Sequence, residues 1–301
     1  MPMNPRMRTR ILLGSVMLVG VIGLLYLDWW LGRRTHAQPG GSPLVGLPLA
    51  ALLVVLVVVA SGELQRLAAA AGIPFLRWTG LAAAIALVAM PYWWRAVGLG
   101  GSSSGEVLAV LGIGTAGMFA EQMIRWRTAD AIRRLGVTLL TVIYLGVGGA
   151  IVMALRMDRG VPAVVLFLGA VKFTDIGAYF TGSAIGRHKM IPWLSPGKTW
   201  EGLAGGLIVA AGISVLITWA LRGTGQDGQG MATLALWKAA IFGVVVGGVG
   251  QFADLCESLL KRSAAVKDSG ALVPEFGGVL DIIDSPLLSA PVAFLLLKAM
   301  L

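Results

Sequence analysis

Nine apolar stretches, each close to twenty residues long, divide this chain: 11–31, 44–61, 79–98, 106–124, 136–155, 162–182, 202–221, 236–255 and 279–299. A helix needs about 20 apolar residues to cross the hydrocarbon of a bilayer, and it closes its own backbone hydrogen bonds there. Strand-type alternation over ten residues is absent, which argues against a membrane β-barrel. Charged residues are 13% of the chain, about half the share of a soluble domain. The mean hydropathy is +0.83. The expected fold is therefore all-α, a polytopic integral membrane protein with about nine transmembrane helices. Its 42 glycines suit close helix–helix approach in lipid.

The odd span count places the termini on opposite sides, and basic residues decide which side is which. With the N-terminus inside, the inner segments hold Arg6, Arg8, Arg10, Arg66, Arg77, Arg125, Arg127, Arg133, Arg134, Arg187, Lys189, Lys198, Lys261, Arg262 and Lys267. The outer segments hold only Arg33, Arg34, Arg95, Arg156, Arg159, Arg222 and Lys298. The positive-inside rule gives a cytoplasmic N-terminus and an outward C-terminus. The Ile11–Leu31 run follows three arginines as a signal peptide would, but it is too long for one and reads as a retained first span. Two regions are expected: residues 1–160, five spans serving as scaffold, and residues 161–301, four spans with two cytoplasmic loops that carry the chemistry. A single cysteine, Cys256, excludes an intramolecular disulfide and a Cys-based zinc site. No nucleic-acid partner is expected.

Charge, scarce elsewhere, gathers in the last third. Ser258-Leu-Leu-Lys261-Arg262 is followed by Lys267-Asp268-Ser269-Gly270, then Pro274, Phe276-Gly277-Gly278, Asp281 and Asp284-Ser285. Lys and Arg hold phosphates, and carboxylates hold the divalent ions that phosphates need. Asp254 and Glu257 are three apart, as are Asp281 and Asp284, so each pair shares a helix face. A carboxylate within a span is costly unless paired or solvated in a cavity. Glu257 alone reads equally well as an interfacial anchor. Two converging pairs beside a basic loop suit one or two Mg²⁺ ions completed by phosphate oxygens.

A second cluster runs from Lys172 and Asp175 to Ser195-Pro196-Gly197-Lys198-Thr199-Trp200-Glu201-Gly202. Lys172 and Asp175 are either a structural ion pair within the sixth span, or Asp175 faces the metal cavity. Ser195–Thr199 is not a P-loop. It does offer backbone N–H groups, two hydroxyls and a lysine at the start of the seventh helix, where phosphate binds well. Trp193 and Trp200 read as interface anchors. Arg125, Arg127, Arg133 and Arg134 read as topology determinants that also attract anionic lipid. His188 reads as a solvated loop residue, and Glu63–Ala71 as a short interfacial or continuing helix.

Both clusters resemble the signature of the phosphatidate cytidylyltransferases, or CDP-diacylglycerol synthases. The resemblance rests on Ser258-x-x-Lys261-Arg262-x4-Lys267-Asp268-Ser269-x4-Pro274-x-x-Gly277-Gly278-x-x-Asp281-x-x-Asp284-Ser285. It extends to Asp175-x-x-Ala178-Tyr179, Ser195–Gly202 and Asp254-Leu-x-Glu257-Ser258, in the same order, over the C-terminal 130 residues or so. It implies a homodimeric enzyme of the bacterial inner membrane that converts CTP and phosphatidate to CDP-diacylglycerol and pyrophosphate with Mg²⁺, K⁺ being associated with the metal centre. The metal ligands it implies fall on Asp254, Asp281 and Asp284, with Asp175 beside them. Catalytic weight falls on Asp254, Asp281, Lys267 and Asp268. Substrate phosphates fall to Ser195, Lys198, Thr199, Ser258, Lys261, Arg262 and Lys267. Phe276 stands where the family usually has His, and Ile282 where it usually has Arg. The second pKa of a phosphate monoester is about 6, so phosphatidate is already a nucleophilic dianion at pH 7 and needs no histidine base.

Two other readings share part of this pattern. A membrane lipid kinase, or a cytidylyltransferase for another lipid phosphate or a polyprenol, would use the same metal logic. A transporter would use Lys172 and Asp175 as a relay, and would show interrupted helices in corresponding halves. The sequence lacks that symmetry. The orientation is directly testable: a reporter fused at Leu301 should be active only outside the cytoplasm, and cytoplasmic activity there would overturn the topology.

Overall fold

With no water to bond to in the bilayer core, apolar segments close their backbones into helices. In the computed structural model, which describes residues 5–35, 44–98, 104–222, 231–270, 272 and 277–301, these are α1 (Pro5–Thr35), α2 (Leu47–Ala70), α3 (Arg77–Ala96), α4 (Ser104–Glu121), α5 (Ala131–Thr141), α6 (Gly148–Ile185), α7 (Trp200–Arg222), α8 (Leu236–Ser263) and α9 (Leu280–Met300). Single π-helical turns, Gln122–Trp126 and Val142–Val147, adjoin α5 on either side. Strands β1 (Lys189–Ile191) and β2 (Ser195–Thr199) form an antiparallel hairpin. Pro274, Phe276, His36 and the polar turn 226–230 lie outside the described residues.

Among the described residues seven helical stretches are long and apolar enough to cross a bilayer, so the chain is an all-α polytopic membrane protein. One of the seven, Ala131–Ile185, is 55 residues long and contains the expected fifth and sixth spans as helices that meet at a kink. The backbone leaves the helical region inside it at Gly160 (φ 79°, ψ −179°), two residues before Pro162. The left-handed φ favours glycine, and the proline removes a helix donor. Helix α3 occupies the expected third span but is not among the seven, because its tryptophans and its two terminal arginines lower its hydropathy. The Glu63–Ala71 stretch continues α2.

The chain forms two compact units, residues 1–157 with 268–282, and residues 158–267 with 283–301. In the first unit, Leu76, Ala83, Leu87, Met118, Val142 and Ala150 form a buried core centred on α3. Polar side chains close the backbone ends around it. The Thr138 hydroxyl accepts from Leu76 N at 3.0 Å, and Glu121 Oε2 accepts from Thr79 N at 3.1 Å and Thr79 Oγ1 at 2.7 Å. Arg134 departs from its expected role at a lipid surface. It is buried, donates to Gln122 Oε1 and Ala129 O, and lies 4.3 Å from the Trp126 ring centroid.

A buried ion pair joins α1 to α6 in this unit: Asp28 and Arg156 are bonded, and Asp28 Oδ1 also accepts from Gly46 N at 2.8 Å. Gly46 has a left-handed φ of 83° at the start of α2. A Cβ there would lie 2.7 Å from Met157 Sδ, so glycine is required twice over. Removing one partner of such a pair strands a buried charge. Arg156→Met and Asp28→Asn should each cost about 3–5 kcal/mol of stability, read by unfolding of the purified protein in detergent. The double variant should cost less than the sum; full additivity would mean that the two charges do not interact.

Candidate active site

Small residues let the helices of the second unit come close. A Cβ on Gly206 of α7 would lie 2.7 Å from the Thr174 carbonyl oxygen of α6, and one on Gly247 of α8 would lie 2.2 Å from Thr174 Oγ1. Close approach through glycine is the usual solution in lipid, where burying apolar surface drives nothing. It brings the polar ends of α6, α8 and α9 together. Gln251 of α8 reaches α6, and its Nε2 donates to Asp175 Oδ1 at 2.6 Å. Lys172 stands 4.0 Å from Asp175 Oδ2. Asp175 thus has an ion pair at the outer limit of contact with Lys172 and a hydrogen bond from Gln251 of α8.

Asp254 and Glu257 of α8 and Asp284 of α9 form the centre. A carboxylate oxygen from each lies within 4.8 Å of the others. Glu257 and Asp284 are 1% and 2% exposed. Two lysines supply positive charge: Lys198 Nζ is 2.6 Å from Asp254 Oδ2, and Lys261 Nζ is 2.9 Å from Glu257 Oε2. Among the described residues no lysine or arginine forms an ion pair with Asp284. Its Oδ2 is buried with no hydrogen-bond donor, while Oδ1 accepts from Ser285 Oγ at 3.2 Å. Three carboxylates this close repel one another, and a bare buried oxygen is costly. An oxygen-liganded cation would relieve both, so the residues fit a divalent metal.

The hairpin delivers Lys198. The sequence places Ser195–Thr199 at a helix start, but it is strand β2, with Lys189 opposite Thr199 and Ile191 opposite Ser195. From β2, Lys198 also donates to the Gln251 carbonyl at 3.0 Å, which ties the hairpin to α8. Thr199 is buried, and its hydroxyl accepts from Gly202 N at 3.1 Å, so it caps α7. Glu201 fixes the other strand through the backbone N–H groups of Arg187 and His188, and its Oε1 lies 2.5 Å from His188 Nδ1. Ser195 and Ser258 are half-buried, whereas Arg262 and Lys267 are exposed.

Asp281 and Asp268 belong to the first unit, and Asp268 is exposed. Asp281 Oδ2 accepts from Ser269 N at 3.1 Å, Ser269 Oγ at 2.8 Å and Gly278 N at 2.7 Å. Gly277 has φ 92°, and a Cβ there would lie 2.6 Å from the same oxygen. The Gly277-Gly278 pair therefore lets the chain wrap the Asp281 carboxylate. Glu63 of α2 enters this loop unforeseen by the sequence reading. Its one outward sign is an acid deep within an apolar helix. Gln251 is likewise unforeseen, although its three-residue offset from Asp254 puts it within reach of the same helix face.

A model of the cytidylyltransferase family matches residues 8–300. With that span covering almost the whole chain, this protein belongs to the cytidylyltransferase family. It is 35% identical over 162 residues to a phosphatidate cytidylyltransferase of Staphylococcus haemolyticus, covering 54% of this chain and 58% of that one. It is 37% identical over 154 residues to one of Brucella suis, covering 50% and 53%. Over 120 residues it is 42% identical to one of Haemophilus influenzae, covering 40% and 39%. The aligned region thus spans a little over half the length of the first two of these curated relatives.

The packing that builds the centre can be tested. Gly247→Ala would displace Thr174, whose hydroxyl donates to Ala170 O at 2.6 Å. Overpacking of this kind costs about 1–3 kcal/mol, and stability and activity should fall together. Adding Thr174→Ala should restore part of both. No recovery in the double variant, measured by melting and turnover, would place the clash elsewhere.

Proposed function

We propose that this protein transfers a cytidylyl group from CTP to phosphatidate, giving CDP-diacylglycerol and pyrophosphate, at the cytoplasmic face of a bacterial inner membrane. The observation that carries the reading is the Asp254–Glu257–Asp284 cluster, with Glu257 and Asp284 buried and Asp284 Oδ2 without a donor, in a chain matched by the family from residue 8 to 300. The names of the relatives support the choice of substrates.

A phosphatidate phosphate oxygen would attack the α-phosphorus of CTP. An O–P bond forms there, the α–β bridging bond breaks, and pyrophosphate leaves with that electron pair. The acceptor is dianionic at pH 7, its second pKa being about 6. No side chain is therefore needed as a base, and the protein's task is alignment and charge neutralisation. Asp254, Glu257 and Asp284 would hold Mg²⁺, with Asp175 beside them; Asp281, in the first unit, is read as a metal ligand in its own right. When bound, Mg²⁺ offsets the negative charge of the transferring phosphoryl group. Lys198 is poised to exchange its Asp254 contact for a substrate phosphate, which couples hairpin position to nucleotide binding. Arg262 and Lys267, exposed at and beyond the end of α8, would draw in the triphosphate, with Ser195 and Ser258 as neutral donors. A K⁺ ion and a homodimer complete the proposal.

Purified protein, incubated with labelled CTP and phosphatidate, should form labelled CDP-diacylglycerol, lose that activity with EDTA and regain it with Mg²⁺. Asp254→Asn and Asp284→Asn keep side-chain size and should lower turnover by at least about 10²-fold, since metal stabilisation of this kind contributes several kcal/mol. Near-wild-type turnover in either variant would put the metal elsewhere. Product formed only from a polyprenol or another lipid phosphate would replace phosphatidate as the acceptor.

A further inference from the structure

Glu63 lies seventeen positions into α2, a helix that is otherwise strongly apolar at its start. It is fully buried. An acid in that position requires several donors, and it finds them about 200 residues away in sequence. Oε1 accepts from Val279 N at 3.0 Å, and Oε2 accepts from Leu280 N at 2.8 Å, with Ser269 Oγ 3.2 Å from Oε2. These backbone donors belong to the start of α9, where N–H groups have no partner within the helix and a negative charge is favoured.

The contact explains residues that no metal explains. A Cβ on Gly278 would lie 2.1 Å from Ser269 Oγ and 2.5 Å from Glu63 Oε2, and one on Gly270 would lie 2.5 Å from Glu63 Oε1. Both glycines make room for this one carboxylate and the hydroxyl it meets. Ser269 joins the two acids: its single hydroxyl proton lies between Glu63 Oε2 and Asp281 Oδ2, and its backbone N–H goes to Asp281. Gly278, whose flank packs on Glu63, gives its own N–H to Asp281. The direction of the Asp281 carboxylate is therefore set by groups that Glu63 holds.

We propose that Glu63 is a positioning residue of the transfer reaction, holding Ser269 and the first turn of α9 so that the Asp281 carboxylate is correctly aimed. This rests on the reading of Asp281 as a ligand for Mg²⁺ given above. Glutamine cannot replace Glu63, because its amide nitrogen would face a backbone N–H, donor against donor.

Three measurements on the full-length protein test this. In Glu63→Gln, hydrogen exchange at the amides of Ser269, Gly278, Val279 and Leu280 should speed up, while α7 and α8 are unchanged. The Mg²⁺ concentration giving half of the Mg²⁺-induced rise in melting temperature should increase. Turnover should fall by about tenfold or more, with the KM for phosphatidate within about twofold of wild type. If Glu63→Gln does not fold, Ser269→Ala removes only the shared hydroxyl and should show the same three changes in weaker form. Unchanged exchange at the loop amides would overturn the proposal. So would loosened amides with wild-type Mg²⁺ response and turnover, since Glu63 would then be a helix cap alone. Exchange and Mg²⁺ response need no turnover. Wild-type protein that forms no CDP-diacylglycerol would thus overturn the transferase reading, while these two readouts still decide the role of Glu63.

Discussion

Carboxylates buried among lipid-spanning helices are tolerable only where cations or backbone donors are held hard against them, and that requirement organises this protein. Asp28 has Arg156 and the Gly46 amide, Glu63 has the first amides of α9, and Asp254 and Glu257 have Lys198 and Lys261. In each case a turn, a strand or a helix end is brought to the acid, and glycines at 46, 270 and 278 make the space. Among the described residues Asp284 has no lysine or arginine paired with it, and its Oδ2 is buried without a hydrogen-bond donor. A buried carboxylate oxygen without a donor, close to two other carboxylates, is a place that suits a cation.

Much of this was written in the hydropathy of the chain. The spans followed from their length, because a bilayer admits little else, and the acidic pairs followed from three-residue spacing on a helix. The hairpin did not. Strands of three and five residues are too short for alternation to show, and Pro196-Gly197 ahead of a helix reads as a helix start. The break between the fifth and sixth spans was legible, because Gly160 and Pro162 stand where two helices meet at a kink.

The site was legible where its residues are neighbours in sequence, and illegible where they are not. Asp254, Glu257 and Asp284 share motifs, so their convergence could be guessed. Arg134 looked like surface charge because nothing local announces Gln122 and Trp126 as its partners. Gln251 carries no charge to attract notice, yet it touches both Asp175 and Lys198. Glu63 is the extreme case: its donors are amides that the sequence does not place near it.

That separation has a consequence in time. Glu63 and Ser269 are 206 residues apart, and chains emerge at about 5–20 residues per second, so α2 is made on the order of 10–40 s before the loop that answers it. For that interval the nascent protein carries an acid in a membrane-bound helix without the donors of its finished fold. Until the last helix begins, the protein's assembly order leaves its first unit incomplete. The arrival of Ser269 and the first amides of α9 at Glu63 is then a late folding event and a natural point for quality control to act.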